Sequence, residues 1–228
     1  MNWLISFLTS SIGRKLIMSL TGLFLILFLV MHLLGNLQLL QNDGGKAFNV
    51  YADFMGHNPL VQTISIGNFF FIILHTIQGI LLAIKNKKAK GGKYAVRPKD
   101  KTTWASRNMA LLGTLILAFL LMHLGHFWVQ FKTGASHIET VTYDAGPIKD
   151  AYSSVVQVLT NPVWVVAYII GLVVLAFHLS HGFASAFQTL GINHKKYSPL
   201  IKGLGLAYSI LIPLGFAIIP IYLFLTQS

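Results

Sequence analysis

Residues 58–79 read NPLVQTISIGNFFFIILHTIQG, and residues 161–182 read NPVWVVAYIIGLVVLAFHLSHG. In both, a histidine falls sixteen residues after the proline and a glycine four residues after that, giving His75 with Gly79 and His178 with Gly182. The segments upstream echo each other too, with Gly22 ten residues ahead of His32 and Gly113 ten residues ahead of His123. Each histidine is embedded in an apolar run, so the repeat sets four ionisable side chains at matched positions in long hydrophobic helices.

Working outward, 54% of the 228 residues are hydrophobic and 10% are charged. Several apolar runs reach the ~20 residues that a helix needs to cross a bilayer, which marks an all-α integral membrane protein. Five spans are predicted, Leu16 to Leu40, Leu60 to Ile84, Met109 to Phe131, Val163 to Leu190 and Gly203 to Leu225, forming a five-helix bundle in a single domain over residues 1–228. The first run is longer than the h-region of a cleaved signal and no small-residue cleavage site follows it, so it is expected to stay in the mature chain.

The basic residues set the orientation. Arg14, Lys15, the lysines and arginines between Lys85 and Arg107, and Lys195, Lys196 and Lys202 fall on one face, against Lys46, Lys132 and Lys149 on the other. Five of the six acidic residues lie on that second face. The positive-inside rule then puts the N-terminus in the cytoplasm and the C-terminus outside. A net charge of +11 is accounted for by topology and by anionic lipid headgroups, without nucleic acid. The basic face also suits docking of a soluble partner.

Orientation turns sequence position into depth. At ~1.5 Å per residue, His32 lies ~24 Å from Leu16 and His123 ~24 Å from Arg107, whereas His75 lies ~15 Å from Lys85 and His178 ~16 Å from Thr189. Two imidazoles on one iron hold their nitrogens about 4 Å apart. Depth therefore pairs His32 with His123 in an outer layer and His75 with His178 in an inner one. His126 and His181 lie three residues beyond two of these and break the repeat, so they are expected at an interface and at a ligand edge, respectively. His57, His137 and His194 are read as surface loop histidines.

Cysteine is absent, which excludes thiolate clusters, thiolate-bound haem, covalently attached haem and disulfides within the chain. Zinc would need four ligands converging at one depth, and these four lie at two. Intramembrane ionisable groups are costly and mark function; two matched histidine pairs point to two non-covalent haems b with His32, His75, His123 and His178 as axial ligands. Ser19, Arg14, Lys15 and Arg107 are candidate donors to haem carboxylates, and headgroup contacts account equally for the basic ones. Gly79 and Gly182 either make room for a macrocycle edge or serve helix packing. Residues 47–55 and 150–160 are predicted as interfacial helices leading into the two Asn-Pro pairs, and the last span, with Pro213 and Pro220, is expected to kink and to pack.

The run Ser11-Ile12-Gly13-Arg14-Lys15, the Asn58-Pro59-Leu60-Val61-Gln62 start of the second span, the two His-x-x-x-Gly motifs, Met122-His123-Leu124 with Phe127-Trp128, and Phe187-Gln188-Thr189-Leu190-Gly191 with His194-Lys195-Lys196-Tyr197 resemble the cytochrome b subunit of succinate dehydrogenase. Within that family the chain looks more like the single-subunit, five-helix, dihaem type of bacteria such as Bacteroidetes, related to dihaem quinol:fumarate reductases. The resemblance implies a membrane anchor for a flavoprotein and an iron-sulfur subunit, relaying electrons through both haems to a quinone, menaquinone in particular. Catalytic residues for dicarboxylate chemistry would lie on those partners, and none is assigned here. Relatives that couple proton movement to quinone chemistry use carboxylates, but all six acidic residues here lie outside the apolar runs. Asp53 in the outer loop is then a candidate for quinone protonation. The dihaem anchor of a formate dehydrogenase or a hydrogenase is the alternative reading, and a haem-free transporter a further one.

Overall fold

The computed structural model describes residues 2–89, 103–133, 138–144 and 146–228. Helices dominate: α1 (Trp3–Thr9), α2 (Ser11–Asn36) prolonged by a 3-10 turn (Leu37–Leu40), α3 (Lys46–His57), α4 (Pro59–Ala89), α5 (Trp104–Arg107) and α6 (Met109–Leu124). A π-helical turn (Gly125–Val129) then leads into α7 (Gln130–Thr133), followed by α8 (Ala151–Leu159), α9 (Pro162–Thr189) and α10 (Ser198–Gln227). Five stretches of 25 to 30 residues, Ser11–Leu40, Pro59–Lys88, Met109–Thr133, Pro162–Thr189 and Ser198–Gln227, are long and apolar enough to cross a membrane. Helices suit that solvent because every backbone N–H and C=O is satisfied within the segment.

The repeated Asn-Pro pairs act as helix starts. Asn58 Oδ1 accepts from the backbone N–H of Leu60 at 3.0 Å and of Val61 at 3.3 Å, and Asn161 Oδ1 accepts from that of Val163 at 3.0 Å. Proline follows in the first turn, where its missing N–H costs nothing. At the other end of α9, Gly191 adopts φ +81°, and the N–H groups of Ile192 and Gly191 bond back to the carbonyls of Phe187 and Gln188. This Schellman closure stops the helix. The last span begins at Ser198 rather than at Gly203, because Ser198 and Pro199 form a helix start that the hydropathy of the segment hides. It continues through Pro213 and Pro220.

Contacts divide the chain into two compact units. The first comprises Met1–Phe28, Asn68–Thr114 and Leu175–Ile210. Three of its buried hydroxyls are satisfied locally: Ser19 Oγ donates to the Lys15 carbonyl at 2.9 Å, Thr21 Oγ1 to that of Ile17 at 2.8 Å, and Ser209 Oγ to that of Leu206 at 2.8 Å. Such back-bonding is how hydroxyls are tolerated in an apolar helix.

The second unit comprises Leu29–Gly67, Leu115–Val174 and Leu211–Ser228. Its core gathers Leu33, Leu39, Phe48, Val155, Leu159, Tyr168, Ile219 and Leu223. The two interfacial helices expected from sequence are α3 and α8. Between α7 and α8 lies an antiparallel hairpin of β1 (Thr140–Tyr143) and β2 (Gly146–Lys149), with Thr140 opposite Lys149 and Tyr143 opposite Gly146. Asn49, 1% exposed, ties these parts together. Its Nδ2 donates to Asp150 Oδ1 at 2.9 Å and to the Tyr143 hydroxyl at 3.2 Å, while its Oδ1 accepts the N–H of Tyr152 at 2.7 Å. One amide thereby satisfies α3, the hairpin and the start of α8.

Candidate functional site

Within the first unit, His75 on α4 and His178 on α9 face each other with ring centroids 6.3 Å apart and planes inclined by 65°. Within the second, His32 on α2 and His123 on α6 stand 5.7 Å apart at 88°. The structure thus brings together the two pairs that helix depth selects. Two imidazoles bound to one metal through bonds of about 2 Å hold their ring centres roughly 6 Å apart. Edge-to-face aromatic pairs occupy the same range of distance, so the ring nitrogens must decide what the pairs are for.

Those nitrogens are unevenly supplied. Nδ1 of His123 and Nδ1 of His178 are buried and have no hydrogen-bond partner among the described residues. A buried polar atom left unmatched costs about 1–3 kcal/mol and calls for a ligand or a purpose. Their counterparts are engaged by side chains of α2: His75 Nδ1 lies 3.1 Å from Thr21 Oγ1, and His32 Nδ1 lies 3.3 Å from the Asn36 amide nitrogen. Among the described residues no three His, Asp or Glu side chains converge as a metal-holding group. Each constellation therefore offers two imidazoles, the donor set a haem iron takes when its other four positions are filled by porphyrin.

Aromatic rings back the second pair. Phe119 stacks on His123 at 6.0 Å and 24°, while Phe127 and Tyr168 approach it edge-on. A Cβ added at Gly171 would overlap the Phe119 ring. That glycine lets α9 come close enough for the stack to form. In the first unit, a Cβ at Gly22 would sit 3.3 Å from Cε1 of His75. Gly22, read from spacing as a companion of His32, is thus a neighbour of His75. The two glycines of the His-x-x-x-Gly motifs also part company: a Cβ at Gly79 would meet the Met18 side chain at 3.3 Å, whereas none would meet anything at Gly182. Packing explains the first glycine, and open space beside α9 surrounds the second.

The remaining candidates have their own places. His126 sits in the π-helical turn with Nδ1 3.2 Å from the Tyr168 hydroxyl and its ring 4.5 Å from that of Trp164, so it is half-buried against α9. His181 is half-buried. His57 contacts both the carbonyl and the carboxylate of Asp53, and His194 Nδ1 accepts the N–H of Lys196; His137 lies outside the described residues. Ser19 is buried and bonded to the Lys15 carbonyl, Arg14 Nε donates to the Thr9 carbonyl at 3.0 Å, and Lys15 and Arg107 are exposed, the latter on α5. Thr21, Asn36, Phe119 and Tyr168 escaped the sequence reading. Only the Gly22 ruler hinted at the Thr21 position, because nothing in a list of spacings says which side chain meets a ring on another helix.

The chain is similar to the succinate dehydrogenase cytochrome b558 subunit of Bacillus subtilis (strain 168). The two are 27% identical over 168 residues, 73% of each chain. No family model matches the chain, and no solved structure matches it. The five apolar helices and this similarity together support a multi-pass membrane protein.

Proposed function

We propose that this chain is the membrane anchor and electron-transfer subunit of a succinate:quinone oxidoreductase, holding one haem b between His32 and His123 and another between His75 and His178. The observation that carries the reading is the pair of facing imidazole couples, each at roughly the separation a shared metal imposes and each with one buried ring nitrogen unmatched by protein. The similarity to a protein named as a succinate dehydrogenase cytochrome subunit supports the choice of complex. Haem would supply one-electron chemistry at potentials set by its ligands and surroundings.

The chain's own residues supply position and environment. The four imidazoles would hold the iron of the two haems. Phe119, Phe127 and Tyr168 wall the His32–His123 couple with apolar surface, which excludes water and lowers the local dielectric. The spans cross the cytoplasmic membrane with the N-terminus inside and the C-terminus in the periplasm. On the basic inner face dock a flavoprotein and an iron-sulfur subunit, where succinate and fumarate are interconverted. Electrons then pass between the iron-sulfur subunit and a membrane quinone of the menaquinone type.

A reduced-minus-oxidised spectrum of the purified chain tests the reading. Two b-type haems per chain are expected, together with co-purifying flavin and iron-sulfur subunits. Absence of b-type absorption from a preparation made with ample haem supply would refute it, and a molybdenum or nickel subunit in place of the flavoprotein would reassign the anchor to a formate dehydrogenase or a hydrogenase.

A further inference from the structure

We propose that Thr21 is a positioning residue: it fixes the proton of His75 on Nδ1 and so turns the Nε2 lone pair of that ring toward the metal position shared with His178. The inference rests on the haem reading above and deepens it.

Thr21 is buried at 3% exposure, and its hydroxyl has one proton to give. Oγ1 lies 2.8 Å from the Ile17 carbonyl and 3.1 Å from that of Met18, so the proton goes to its own helix. Only lone pairs remain to face outward. Oγ1 is 3.1 Å from His75 Nδ1, and a contact with an oxygen that can only accept requires the ring nitrogen to donate. A neutral imidazole carries one N–H; with that hydrogen on Nδ1, Nε2 is left as the ligand atom. An acceptor on the far nitrogen also makes the ring a stronger donor to a metal.

The residue that follows completes the device. A Cβ at Gly22 would press on Cε1 of His75 at 3.3 Å, so a hydroxyl and a gap succeed each other along α2 and together set the tilt of the ring. Asn36 does not do the same for His32. Its amide nitrogen lies 2.7 Å from the His32 carbonyl and 3.3 Å from His32 Nδ1, and an amide nitrogen donates but cannot accept. His178 Nδ1 has no hydrogen-bond partner among the described residues. Within the first unit, control of the tautomer rests with Thr21.

The test uses the full chain purified from membranes as Thr21→Val, Thr21→Ser and His75→Ala variants, read by haem retention on washing, by redox titration of each b-type signal and by the low-spin ferric resonance. In Thr21→Val, the signal that His75→Ala abolishes should shift to a higher midpoint potential and be retained about tenfold less tightly, with the other signal unchanged. Thr21→Ser should restore both properties. Wild-type potentials and retention for both signals in Thr21→Val would overturn the assignment. If Thr21→Val does not accumulate, Thr21→Ala against Thr21→Ser gives the same comparison. A wild-type chain without b-type absorption, or a His75→Ala variant that keeps both haems, defeats the haem reading itself and is told apart by that outcome.

Discussion

The hydroxyl of Tyr168 lies 3.2 Å from Nδ1 of His126, and the two rings stack at 23°. This bond fixes His126 against α9, in a π-helical turn that begins two residues after His123. Such turns insert an extra residue into the helical ladder and re-aim the side chains around it. The two neighbouring histidines of the third span thus face different partners, His123 on α6 meeting His32 and His126 in the π-helical turn meeting Tyr168.

That division of labour predicts the outcome of single replacements. His126→Phe and His181→Phe should each keep two b-type haems in the difference spectrum. His32→Phe and His123→Phe should each lose one, and His75→Phe and His178→Phe should each lose the other. Loss of a haem from His126→Phe would move the ligand assignment from His123 to His126.

Packing behind His123 gives a second prediction. In Gly171→Ala, the added methyl must displace Phe119, which stacks on His123, and overpacking of this kind typically costs about 1–3 kcal/mol. The haem signal assigned to His32 and His123 should broaden or shift in the low-spin ferric spectrum while the other stays as in the wild type. Pairing Gly171→Ala with Phe119→Ala should relieve the change.

Asn49 offers a stability test away from the histidines. Asn49→Leu leaves Asp150, the Tyr143 hydroxyl and the N–H of Tyr152 without the partner they share, and a buried group so abandoned costs about 1–3 kcal/mol. Amide exchange across residues 140–144 and 146–159 should accelerate accordingly. The haem spectrum should not change.

The same network makes the hairpin sensitive to acid. Burial alone would raise the Asp150 carboxyl, but hydrogen bonds from Ser153 and Asn49 prevail and hold it below its ordinary value of 3.8. Because the folded value is lower than the unfolded one, the stabilisation is complete above the unfolded value and is lost as pH falls below 3.8 and through the folded value. Exchange protection of α8 should therefore drop at the acid end of a titration from about pH 7 to about pH 3. In Asp150→Asn, that acid step should vanish.

How much of this was legible in the chain depends on which residues carry the information. Span number and the Asn-Pro helix starts follow from local chemistry that acts within a few residues, and the structure places each where the sequence does. The facing of His32 with His123 and of His75 with His178 was readable because depth is counted along a helix in steps of fixed rise. Rotation about the helix axis was not. Gly22 lies against His75 rather than serving His32, and Gly79 packs on Met18 while Gly182 meets open space, because a spacing rule fixes height and leaves azimuth free. The β1–β2 hairpin was missed for another reason: four-residue strands carry almost no periodicity, and this one is secured by Asn49 and Asp150 from outside the hairpin.

Neither histidine couple is drawn from consecutive spans. His32 waits for His123, and His75 waits for His178, across an intervening helix in each case. A growing chain therefore cannot close its first clasp before the third span emerges, nor its second before the fourth. A product truncated after α7 would hold one finished clasp and one open hand.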